Sequence, residues 1–175
     1  MTTHGGMSAP DAYFDSLEGR LVSDGCVTQR QDWSGTCVLV GRRSDFRMRW
    51  VATRLDLFTI AAVVPEITAA GLSAFTEESL RYAKAAKGGR PLGMQAGIGA
   101  FPVLISDKVD PAAAEWARAR QRVAFACMAR PVVVDLSCRS VSTYRGKPGL
   151  GRLYASYFIQ KSTQYFDLAA SGSSH

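Results

Sequence analysis

The chain has 175 residues, 47% apolar and 21% charged, with a net charge of +6. That length and balance fit one soluble globular domain with a sizeable core. The only histidines are His4 and His175, so residues 5–174 exclude a Ser-His-Asp relay, a Cys-His pair and a zinc site that needs an imidazole.

Residues 1–9 read as a disordered tail. The start has no basic region followed by an apolar one, which argues against a secretory signal. Apolar runs such as Ile60 to Val64 are too short to span a bilayer. A cytoplasmic protein without membrane contact is expected. One domain is expected over 10–167, and 168–175 read as a disordered tail or tag remnant.

From Asp11 to about Ser23, after Pro10, the residues Tyr13, Phe14, Leu17, Leu21 and Val22 recur at helical spacing. Asp24-Gly25 ends that helix. The period then changes to two, predicting a meander of Cys26–Asp32, Gly35–Gly41 and Phe46–Val64, with turns at 32–35 and 41–45. Phe46, Met48 and Trp50 share one face of the third strand. Beyond Leu55 it is apolar on both faces, which places it mid-sheet.

Thr76-Glu77-Glu78-Ser79 has the pattern of a helix start, with 67–74 extending it backward or forming a separate turn. A glycine-rich loop over 93–102 leads into a strand at Val103–Ile105. Asp110-Pro111 caps a helix running to about Arg122. Val123–Met128, Val132–Leu136 and Val141–Tyr144 read as strands. Over 150–166 the spacing allows a helix, and the Tyr and Phe content allows a strand.

The fold class expected is α+β: a mostly antiparallel sheet, opened by the three-stranded meander, with helices packed on it. In order of elements the chain resembles small secretion chaperones and, at its start, restriction-endonuclease-like folds. Both are likenesses of architecture, carried by no motif residue. The endonuclease pattern needs paired carboxylates and a lysine two residues beyond the second. Asp45 and Asp56 supply the acids, but Phe58 stands where the lysine belongs. Gly93, Gly97 and Gly99 precede a strand rather than a helix, so they make no dinucleotide fingerprint.

Cys26 and Cys37 are 11 residues apart, as are Cys127 and Cys138. That is wider than a structural zinc knuckle, and the expectation is reduced, buried or incidental thiols. No cofactor and no metal is expected.

Charge placement is the main positive signal. Trp116 to Phe166 holds nine basic residues against Asp135 alone. Arg145-Gly-Lys147-Pro-Gly-Leu-Gly-Arg152 is a basic glycine-rich loop, and with Arg118 and Arg122 it is a candidate phosphate or nucleic-acid site. Tyr144, Tyr154, Tyr157 and Tyr165 interleave as stacking platforms would. The apolar residues Trp33, Met48 and Trp50 are candidates for a protein-interaction surface. The reading reached is a non-enzymatic binding or interaction module that self-associates as a homodimer. Nucleic-acid or other polyanion binding is the alternative, and a metal-dependent hydrolase on Asp45 and Asp56 the third.

Overall fold

The computed structural model describes residues 6–47, 53–87, 96–119, 122–124, 127–146 and 152–168. Of the expected tails at 1–9 and 168–175, residues 1–5 and 169–175 lie outside them, as do Met48, Trp50 and Lys147, while Ala9 already belongs to a helix.

Helix α1 spans Ala9–Ser23. It starts where Ser8 accepts a hydrogen bond from the Asp11 N–H and Pro10 supplies a preset φ at the first turn. Strands β1 (Val27–Trp33), β2 (Thr36–Arg47) and β3 (Thr53–Val63) form an antiparallel meander. The β1–β2 turn is Ser34-Gly35, with φ of 54° and 87°. Both residues are left-handed, as a two-residue hairpin requires. The expected turn at 41–45 does not exist: β2 runs straight through it to Arg47. Gly41 sits there because the side chain of Leu21 crosses it, and an added Cβ would come within 2.9 Å of Leu21 Cδ1. Phe46 and Arg47 therefore belong to β2, and β3 starts at Thr53.

Helix α2 spans Ala69–Ala86 as one element capped by Thr68, whose hydroxyl accepts from the Gly71 N–H. Thr76 is not a cap, since its hydroxyl donates back to the Leu72 carbonyl at 2.7 Å. Strand β4 covers Ala96–Ser106 and absorbs part of the expected glycine loop. Gly99 is a strand glycine because Phe158 packs against it, leaving no room for a Cβ, which would lie 2.4 Å from Phe158 Cζ. Helix α3 is Pro111–Arg118, capped by Asp110 as expected and one turn shorter than expected. Strands β5 (Arg122–Ala124), β6 (Cys127–Ala129), β7 (Val132–Asp135) and β8 (Ser140–Thr143) follow, and helix α4 covers Arg152–Phe166. The segment 123–128, expected as one strand, is thus divided between two antiparallel ones. The ambiguity over 150–166 resolves to helix across its described residues, Arg152–Phe166.

The sheet is mixed, not mostly antiparallel. Its order is β1-β2-β3-β4-β6-β5, with β7 beside β4 and β8 beside β7. β4 runs parallel to β3, and β6 and β7 run parallel to β4. The cause is connectivity: α2 returns the chain to the starting end before β4, and α3 together with β5 does so before β6, which a tight hairpin cannot do. The α+β class holds, and β3 lies mid-sheet as its apolar run implied.

Each sheet face carries its own core. On one, Phe14, Leu17 and Leu21 of α1 and Tyr157, Phe158, Tyr165 and Phe166 of α4 pack on Leu39, Leu55, Phe101 and Val132. On the other, Leu72 and Ala83 of α2 and Ala113 and Ala117 of α3 pack on Val40, Phe58, Ile60 and Val133. No helix among the described residues is long and apolar enough to cross a membrane.

Candidate functional site

At one end of the sheet, β1 pairs only with β2 among the described residues. Among the described residues no strand pairs with its other edge. Because Trp33↔Thr36 closes the two-residue hairpin, Trp33, Gln31, Gln29 and Val27 aim their main-chain groups at β2. Thr28, Arg30 and Asp32 aim theirs outward. The edge thus presents a periodic row of free N–H and C=O groups.

The side chains of β1 differ by face. On the α1 side, Arg30 lies 5.0 Å over the Phe14 ring and bonds Asp15 at 2.7 Å and Glu18 through Nε at 2.9 Å. On the α2 side, Val27 is 77% exposed and borders an open groove of about 710 Å³ between the strands and the end of α2. Val40, Phe58 and Tyr82 line the groove, with Gln29 and Arg42 at its polar margin. Arg42 is fixed there. It donates to the Ala86 and Lys87 carbonyls at 3.0 and 3.2 Å, closing the C-terminus of α2, and pairs with Asp56 at 3.5 Å. Trp33, half-buried, packs on Tyr82 and Phe75 with centroids 5.4 and 6.1 Å away. It helps hold the hairpin against α2.

Behind the strands lies a charged network that sequence reading did not find. Asp24, in the turn after α1, accepts from Lys161 Nζ at 2.6 Å, from Gln164 at 2.9 Å and from the Tyr165 hydroxyl. Arg43 lies 3.1 Å from the same carboxylate and bonds Asp45 at 2.8 Å, and Asp45 also accepts from Tyr157. Burial alone would raise both acids, but the donors on Asp24 (Lys161, Tyr165, Gln164) and on Asp45 (Arg43, Tyr157) outweigh it and hold both below the ordinary carboxylate range. Burial, then the neighbouring carboxylates, pushes the two tyrosines up. Two cations match two anions, so the cluster is internally neutral and ties α4 to β2 and to the end of α1. Its signal was present in the sequence: Tyr157, Lys161 and Tyr165 recur every four residues, one face of a helix.

No protein-family model and no curated protein matches the chain.

The basic residues of the C-terminal half divide. Arg118 is exposed at the end of α3 and donates to Ser142 on β8 at 3.0 Å; Arg145 is exposed just past β8. Arg122 opens β5, opposite Ala129 on β6, and β8 ends at Thr143, opposite Val132 on β7, so that both strands flank the same side of β4. These three lie on that side of β4. Arg152 opens α4. Arg130, by contrast, is fully buried, donates to the Tyr144 and Gly146 carbonyls at 3.3 and 3.0 Å, and lies over the Tyr144 and Phe158 rings. Burial brings its pKa down to about 10. Tyr157 and Tyr165 are buried donors to carboxylates, so they are not stacking platforms.

Asp45 and Asp56 stand on opposite faces of the sheet. Asp45 is paired with Leu55 in register and meets Tyr157 on the α4 side; Asp56 is opposite Ser44 and meets Arg42 on the α2 side. They do not converge on one ion, and the described residues hold no cluster of three metal-binding side chains. The four thiols are free: Cys26 and Cys127 buried, Cys37 and Cys138 exposed.

Proposed function

We propose that the chain is a non-enzymatic binding module that captures an extended polypeptide segment along the outer edge of β1. The observation that carries this reading is the row of outward main-chain groups at Thr28, Arg30 and Asp32, bordered by the groove under Val27. An added strand gains its affinity from main-chain hydrogen bonds, and alternate side chains meet the groove and the α1 face. The internally neutral Asp24 network is then scaffold, holding in place the meander that offers the edge.

The test is a titration of ¹⁵N-labelled protein with the heptapeptide Val-Thr-Gln-Arg-Gln-Asp-Trp, the sequence of β1 itself. Expected are shifts confined to 27–33 and to the groove residues Val40 and Tyr82, lost in Thr28→Pro. Proline there deletes an outward N–H and leaves the β1–β2 ladder intact. No shift along β1 would overturn the reading.

A second reading, polyanion binding, draws on Arg118, Arg122 and Arg145, which lie on one side of β4, with Lys147 and Arg152 as further candidates. Its mark is fluorescence anisotropy with a labelled oligonucleotide that weakens steeply with salt and is lost in Arg118→Ala/Arg145→Ala.

A further inference from the structure

We infer that the strand added at β1 is the β1 of a second copy, antiparallel about a two-fold axis through Gln31, making one sheet continuous across two chains. This rests on the binding reading above and adds the partner and the register.

The argument begins with phase. In a two-fold antiparallel pairing the mutually bonded positions must be outward-facing on both chains. With Thr28, Arg30 and Asp32 outward, an axis that makes two or more such pairs passes through Gln29, Arg30 or Gln31. An axis at Gln29 sets Arg30 against Thr28, which offers the guanidinium no countercharge. An axis at Arg30 sets that residue against its own copy, and like charges directly opposite are destabilising. An axis at Gln31 sets Arg30 against the second copy's Asp32, and Asp32 against its Arg30, so the ion pair forms twice.

The side chains have the capacity for this. Arg30 uses Nε and Nη2 on Glu18 and Asp15, and its Nη1 makes no hydrogen bond among the described residues. Asp32 uses Oδ1 on the Gly35 N–H at 2.8 Å, and its Oδ2 is likewise unspent. Both residues are exposed and lie on the α1 side of the strand. Gln31 at the axis is already satisfied, donating to Tyr82 and accepting from Trp33, so it asks nothing of its counterpart. The pairing is self-complementary, as an isologous interface must be.

The experiment is sedimentation velocity of the full chain up to ~200 μM, a range that detects micromolar association. Wild type is expected as a dimer. Arg30→Asp and Asp32→Arg should each weaken it at least tenfold by setting like charges opposite. Mixing the two single variants should restore a heterodimer, because the carboxylate introduced on one chain then meets the guanidinium introduced on the other. The double swap on one chain should restore the homodimer. Rescue on mixing cannot come from refolding of either chain alone, so a fold defect is separated from a lost contact. A monomeric wild type, or single variants that dimerise as well as wild type, overturns the inference. If the heptapeptide binds while the whole chain stays monomeric, the inference falls and the binding reading stands. A dimer indifferent to Thr28→Pro, with no peptide binding, sinks both.

Discussion

The Asp24–Lys161 pair predicts an asymmetric response to mutation. The side chains of Lys161 and Asp24 are only 7% and 11% exposed. Asp24→Ala leaves the Lys161 ammonium buried with one remaining polar partner, Gln164 at 3.4 Å, and an uncompensated buried charge costs about 3–5 kcal/mol. Because Asp24 keeps a little water contact, the low end is expected: about 3 kcal/mol, or about 6–12 °C in Tm for a chain of this size. Lys161→Met leaves Asp24 with Arg43, Gln164 and Tyr165 still around it, so only one charge-assisted bond is lost, worth about 1–2 kcal/mol. In Asp24→Ala/Lys161→Met no buried ammonium is stranded. The double variant should therefore cost about 1–2 kcal/mol less than the sum of the singles. Urea unfolding of the four proteins measures each quantity. Additive singles, or a Lys161→Met that costs more than Asp24→Ala, would refute the claim that Asp24 is what makes a buried lysine tolerable here.

Three further outcomes are expected. Gly99→Ala drives a methyl into Phe158 between β4 and α4 and should cost about 1–3 kcal/mol in a chemical melt, whereas Gly19→Ala, on open helix surface, should not destabilise. Asp24 and Asp45 have folded pKa values below the unfolded 3.8, so the unfolded chain binds protons first. Their stabilisation is complete above about pH 5 and disappears as pH falls through the folded values, and Asp24→Asn/Asp45→Asn should flatten that acid limb of Tm against pH. With a thiol reagent, Cys37 and Cys138 should react fast and Cys26 and Cys127 only on opening, because the latter two are buried and burial raises their pKa; four equal rates would contradict the burial assigned.

Local pattern sufficed where one element decides the outcome. The apolar stripe of Tyr13, Phe14, Leu17 and Leu21, the Asp110-Pro111 cap, the Ser34-Gly35 turn and the two-sided apolar run of β3 each answer to propensity or period within a few residues. What failed did so for want of a neighbour. Gly41 and Gly99 read as turn and loop because glycine commonly marks both, and only Leu21 and Phe158 lying across them make them strand residues. Thr76 has a cap's spelling, but Thr68 lies two turns earlier, and its hydroxyl accepts from the Gly71 N–H.

The chain by itself determined the alternation of helices and strands, and with it the α+β class. It determined also that no histidine stands between residues 5 and 174. The parallel centre of the sheet, the neutral cluster joining Asp24 to a lysine 137 residues away, and the open edge of β1 were decided only by tertiary structure. Each depends on which elements meet across long stretches of chain, and pairing between distant residues leaves no local period to read.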